Sequence, residues 1–136
     1  MINKKKIELR YSDSDQMGVV YHANYFTFFE QGRTDMLKEL GIDYYELERK
    51  GFLFPIRDVR CTYLKSIRLG DDIFVITKID KITKVRIDFS HKLVDENNEL
   101  KATGNTSIIS VKKDDFSIVK MDEAIPDVYA LKDKIL

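Results

Sequence analysis

The chain is 136 residues long, which suits one domain spanning 1–136, and a chain of this size can bury about two-thirds of its unfolded surface without staples. Lys+Arg and Asp+Glu both number 23, so the formal net charge is zero. This argues against a nucleic-acid-binding domain, and no apolar run approaches the ~20 residues of a membrane span. The single cysteine, Cys61, excludes an intrachain disulfide. With only two histidines there is no ligand set for a structural zinc, and the lysines of MINKKKIELRY precede no apolar stretch, so the expected location is cytoplasmic.

Alternation over Ile7, Leu9 and Tyr11 predicts a first strand, followed by a polar loop over 12–18. From about His22 to Leu40 the period becomes helical. Tyr25, Phe29, Gly32, Met36 and Leu40 share one face, Phe26 and Phe28 widen it, and Gly41 stands where a C-terminal cap belongs. Gly32 costs about 1 kcal/mol relative to alanine inside a helix, and close packing against a sheet would explain it. A second short helix is predicted over 43–50, closed by Gly51. Strands follow: Val59, Cys61 and Tyr63 alternate with polar residues. Ile73-Phe74-Val75-Ile76 reads as a strand covered on both faces, Val85 to Leu93 alternates, and 102–111 forms a last strand. Turns are expected at 69–72, 95–99 and 112–115, and a terminal helix after Pro126. The order implies an α+β domain in which a long helix packs on a roughly five-stranded antiparallel sheet. One helix cannot cover such a sheet fully and its edge strands are open, which favours a homodimer.

The segment YSDSDQMGVVYHANY, from Tyr11 to Tyr25, carries the chemistry. It sets two carboxylates, Asp13 and Asp15, just before the amino end of a helix, where unspent backbone N–H groups can hold a developing negative charge. That layout suits acyl transfer. Asp15 could attack a thioester carbonyl or activate a water, and thiolate leaves without a strong general acid. Asp13 reads as a loop-shaping acceptor of backbone N–H groups. Two carboxylates supply too few oxygens for a hard cation, so no metal is expected.

The run SDSDQMGVVYHANYFTFFEQGRTDMLKELG, Ser12 to Gly41, resembles the signature of the 4-hydroxybenzoyl-CoA thioesterase family of hotdog-fold enzymes, most of all the bacterial acyl-CoA thioesterases associated with the Tol-Pal cluster. The resemblance covers about 30 residues; beyond them only the strand spacing and Gly70-Asp71 match. It implies a hotdog fold, dimers or tetramers, and hydrolysis of an acyl-CoA to acid and free CoA. It assigns the catalytic carboxylate to Asp15, and a backbone N–H at or next to His22 to carbonyl polarisation. Gly18 would let the loop backbone approach the substrate. Val19, Tyr21 and Asn24 complete the candidate substrate-binding set, with Tyr21 and Asn24 also reading as supports for the turn. No cofactor is implied, since CoA arrives as part of the substrate. An acyl-carrier-protein thioesterase and a non-catalytic acyl-CoA-binding module are the alternatives.

Elsewhere, His91 reads as a core or interface histidine, Cys61 as a buried thiol, and the aromatic cluster of the long helix chiefly as core. Lys65, Arg68, Lys84 and Arg86 are candidates for the CoA phosphates.

Overall fold

The computed structural model describes residues 1–15 and 18–135; Gln16 and Met17, in the predicted acidic loop, and Leu136 lie outside the described residues. Five strands form one antiparallel sheet: β1 (Ile2–Ile7), β3 (Ile56–Tyr63), β4 (Ile73–Ile82), β5 (Arg86–Asp95) and β6 (Leu100–Ile109), in spatial order β1-β4-β5-β6-β3. The long helix α1 (Asn24–Glu39) lies on this sheet, and α2 (Tyr44–Arg49) follows it. A two-stranded ribbon pairs β2 (Phe52–Leu53) with β7 (Val111–Lys112), and three short helices, α3 (Met121–Ala124), α4 (Pro126–Tyr129) and α5 (Leu131–Ile135), close the described chain. This is the expected hotdog arrangement.

α1 buries Tyr25, Phe28, Phe29, Gly32, Arg33, Met36 and Leu37. Fully burying one such phenylalanine or leucine contributes about 1.5–3 kcal/mol, so packing rather than propensity holds the helix in place. Under its amino half Phe28 and Phe29 meet Ile73, Val75, Leu93 and Ala102. Under its carboxyl half Met36 and Leu37 meet Ile87, Phe89 and the short terminal helices through Met121, Val128 and Leu131. Between the two clusters lies a buried polar chain, with His91 Nδ1 at 3.3 Å from the Thr77 hydroxyl and His91 Nε2 at 2.8 Å from that of Thr106. The Phe29 ring stacks on His91 at 4.6 Å.

Four details differ from the sequence reading. The first strand is Ile2–Ile7, not 7–11, because the chain turns at a 3₁₀ segment, Tyr11–Asp13, where the Asp13 carboxylate takes the Arg10 N–H at 2.8 Å. Lys4, Lys5 and Lys6 suit the edge strand that β1 is. α1 begins at Asn24, two residues later than expected. Of the apolar run that opens β4, Ile73 and Val75 are buried, while Phe74 and Ile76 are half-exposed, Phe74 lying beneath the Lys4 ammonium at 4.7 Å. Cys61 is half-buried on the edge strand rather than enclosed.

β3 is the other edge of the sheet, and its residues are exposed along the whole strand except at Cys61. Ile56, Val59 and Tyr63 are each at least 40% exposed.

Candidate active site

The described residues on either side of 16–17 pair as the two arms of a hairpin. Ser14 bridges Val20, Asp15 N–H donates to the Val19 carbonyl at 2.8 Å, and Gly18 N–H donates to the Asp15 carbonyl at 3.1 Å. Gly18 has φ +76°, a left-handed conformation that side chains disfavour, which is why glycine stands there. Val19 N–H reaches Asp15 Oδ1 at 3.4 Å. The hairpin is fastened to the body of the protein by a Val19–Arg68 bridge and by Val20 N–H on the Ile67 carbonyl at 2.7 Å. Asp15 itself is exposed.

Asp13 is buried beneath it. Its carboxylate accepts from Arg10 N–H and sits 3.4 Å from Arg10 Nη2, while its carbonyl accepts Tyr21 N–H at 2.8 Å and Asn24 Nδ2 at 2.9 Å. The Asn24 side chain is thus occupied in holding the loop against the helix start. Tyr21 is exposed, its ring 4.4 Å from that of His22.

The entry to α1 is an uncapped turn. Ala23 has helical dihedrals and offers no side-chain cap; Asn24 N–H donates to the Tyr21 carbonyl at 3.0 Å and Tyr25 N–H to the His22 carbonyl at 3.3 Å. The N–H groups of His22 and Ala23 have no acceptor among the described residues. They are the donors that the amino end of this helix leaves open.

Asp15, Val19, Val20, His22 and Tyr25 line one side of a cleft of about 310 Å³, and Tyr63, Leu64, Lys65 and Ser66 line the other. The sequence-predicted acid and the helix entry are therefore brought to one place. Tyr63 was not singled out by sequence reasoning. Its hydroxyl donates to the His22 carbonyl at 2.8 Å, and its ring lies 4.8 Å from Tyr25 and 6.1 Å from His22. Partial burial, then the adjacent Cys61 and Tyr25, push the Tyr63 phenol up to about 12. Nothing in the sequence marks this tyrosine, because its contact spans 41 positions.

Of the basic candidates, Lys65 lines the cleft and pairs with Glu99 at 3.1 Å, and Arg68 flanks the hairpin. Lys84 and Arg86 pair instead with Asp122 at 3.6 Å and Asp88 at 3.0 Å. Burial raises the Cys61 thiol pKa above its ordinary value, which does not favour a nucleophilic thiolate. No group of three or more His, Cys, Asp or Glu side chains among the described residues could hold a metal ion.

A larger cleft, about 600 Å³, opens at the other end of β3 and does not include Asp15. Arg33, Tyr44, Phe52, Phe54 and Ile56 are among its walls. Arg33 is buried, and its guanidinium contacts the Tyr44 hydroxyl. Burial drives the Tyr44 phenol up to about 12.

The chain is similar to known proteins over most of its length. It is 35% identical over 133 residues to YneP of Bacillus subtilis (strain 168), covering 98% of this chain and 96% of that protein. It is 29% identical over 105 residues to the acyl-CoA thioester hydrolase YbgC of Escherichia coli O157:H7, covering 77% of this chain and 78% of that one. The crystal structure of the DHNA-CoA thioesterase from Staphylococcus aureus superposes with a TM-score of 0.95 at 34% identity, covering 98% of this chain and 90% of that one. No described helix is long and apolar enough to cross a membrane. The family model of the thioesterase superfamily matches residues 17–102, and the chain belongs to that superfamily.

Proposed function

We propose that the protein hydrolyses an acyl-CoA thioester to a carboxylic acid and free CoA. The observation that carries this reading is that Asp15 and His22, at the entry to α1, line one cleft, while the N–H groups of His22 and Ala23 at that entry have no acceptor among the described residues. A thioester carbonyl set between them has an acid on one side and hydrogen-bond donors for its oxyanion on the other. Asp15 acts as nucleophile or as general base. In the first case its carboxylate oxygen bonds to the acyl carbon, CoA leaves as thiolate, and water cleaves the mixed anhydride. In the second it takes the proton of the attacking water, and the thiolate leaves from the tetrahedral intermediate. Gly18 and Val19 present backbone to the acyl group, and Lys65 is the basic residue best placed for a CoA phosphate. The reaction needs no cofactor, and a cytoplasmic location belongs to the same reading. The names of the YbgC and S. aureus relatives support the CoA thioester as substrate. The finer placement, beside the Tol-Pal-associated enzymes, rests on the Ser12–Gly41 signature.

The working unit in this reading is a homodimer paired through β3. The two clefts stand at opposite ends of that strand, with Tyr63 at one and Ile56 at the other. Antiparallel pairing of two β3 edges brings the Asp15 cleft of one protomer beside the larger, aromatic-walled cleft of its partner. Together they offer more room for an acyl group than the cleft of about 310 Å³ alone.

Thiol release measured across acyl-CoAs from acetyl to palmitoyl and benzoyl types, with Asp15→Asn in parallel, tests the reading. Wild-type release and a loss of orders of magnitude in a folded Asp15→Asn variant are expected. Full activity in that variant would overturn it. Release only from carrier-protein thioesters would move the substrate class, and tight acyl-CoA binding without release would indicate a binding module.

A further inference from the structure

We infer that Tyr63 is a positioning residue for thioester hydrolysis, one that sets the direction of the Ala23 N–H through the His22 carbonyl. The inference rests on the hydrolase reading above and adds a residue that does no chemistry itself.

The carbonyl of His22 and the N–H of Ala23 belong to one peptide unit. That unit is planar and trans, so fixing the C=O fixes the N–H in the opposite direction. Among the described residues, two donors reach the His22 carbonyl. The intrahelical one, Tyr25 N–H, stands at 3.3 Å, long for such a bond, whereas the Tyr63 hydroxyl stands at 2.8 Å. The firmer restraint on this peptide therefore comes from a different element, the end of β3. Ala23 provides no side-chain cap, and the side chain of Asn24 holds the Asp13 carbonyl rather than the His22 peptide. Without the Tyr63 bond the first turn of α1 is held by backbone bonds that readily rearrange between 3₁₀ and α geometry.

The placement of Tyr63 serves this purpose in two further ways. Its ring packs at 4.8 Å against the buried Tyr25, which belongs to the same helical turn, so the phenol is itself held in place. Its hydroxyl also stays protonated, and remains a donor, throughout the range in which an enzyme of this kind is assayed. The restraint does not titrate, so its removal should lower the height of a pH–rate profile and leave its shape alone.

Oxyanion donors act on the transition state more than on bound substrate. A misdirected N–H should therefore appear in kcat with KM little changed. The experiment is steady-state thiol release by the full-length Tyr63→Phe variant, which removes only the hydroxyl. Thermal melting checks its fold, and the amide ¹⁵N–¹H signals of His22 and Ala23 are followed in both proteins. The expected result is a fall of about 10- to 100-fold in kcat, the cost of a small misplacement of a catalytic group, with KM within about twofold and with shifted Ala23 and His22 amide signals. Wild-type kcat in Tyr63→Phe would overturn the inference, as would a raised KM with unchanged kcat, which would make Tyr63 a substrate contact. If the wild-type protein itself releases no thiol, the hydrolase reading fails and the inference falls with it. The amide spectra would then still report whether Tyr63 orders the helix entry.

Discussion

The Thr77 hydroxyl occupies the space into which a side chain on Gly32 would grow. The glycine in the middle of α1 is therefore a point of close contact between helix and sheet, at the Thr77 end of the Thr77–His91–Thr106 chain. Gly32→Ala gains about 1 kcal/mol of helix propensity but overpacks this contact, at a cost of about 1–3 kcal/mol. Net destabilisation in urea is the expected outcome. Thr77→Ala removes the obstructing hydroxyl, so the cost of Gly32→Ala should shrink in that background. The Val75 methyls, 3.1 and 3.2 Å from the new carbon, should keep it above zero. Additivity of the two substitutions would show that the contact is not what requires the glycine.

His91 should make the fold acid-labile. Burial first, and the Arg33 cation second, push its pKa from 6.5 down to about 3. The folded value lies below the unfolded one. Between those values the unfolded chain binds a proton that the native chain does not, so stability falls as pH falls through the window. The slope approaches about 1.4 kcal/mol per pH unit. Carboxylates add their own acid dependence, so the measurement is a comparison. Unfolding free energies of wild type and His91→Gln at pH 7, 6, 5 and 4 should converge as pH drops, because the glutamine does not titrate. Parallel curves would show that His91 is not the group responsible.

The fold was legible where its signals are local. The apolar spacing of Tyr25 to Leu40 marks α1 because a helix repeats within one turn, and the alternation from Ile87 to Leu93 marks β5 for the same reason. β1 was misplaced because its inward positions, Asn3, Lys5 and Ile7, are mostly polar; Asn3 faces inward to donate to Asp35 and Glu39 on α1. In the candidate site, Asp15 and Gly18 stand out in the sequence because the loop chemistry is contiguous. Tyr63 does not, since only the pairing of β3 with β6 carries it to the helix entry. The close packing at Gly32 was legible in kind, while its partner Thr77 was not.

Asn24 links the acidic loop to the helix through the Asp13 carbonyl. Asn24→Ala removes one side-chain hydrogen bond, worth about 1 kcal/mol, and leaves the carboxylate of Asp15 in place. A modest fall in melting temperature, about 3–5 °C, is expected with a larger proportional fall in kcat, because the hairpin and the helix entry lose their shared anchor. A variant with wild-type turnover and only the stability loss would show that this link serves the fold alone.

The β3 edge can be tested by charge. Unlike β1, which carries three consecutive lysines, β3 presents Ile56, Val59, Cys61 and Tyr63 along an open edge. A two-fold axis through Val59 sets two such strands antiparallel with Arg60 of one opposite Asp58 of the other, and the same pair repeats on the far side of the axis. Opposite charges across a strand pair are favourable and like charges are not, by roughly 0.2–1 kcal/mol each. Arg60→Asp places two like pairs at the interface and should shift the protein toward monomer in light scattering at micromolar concentration. Asp58→Arg should do the same. Combining them restores opposite charges, and the dimer should return, together with any turnover lost in the single variants. The recovery discriminates, because general surface damage would accumulate in the double variant. Two singles that stay dimeric would exclude this register, and a double variant weaker than either would exclude the pairing of Arg60 with Asp58.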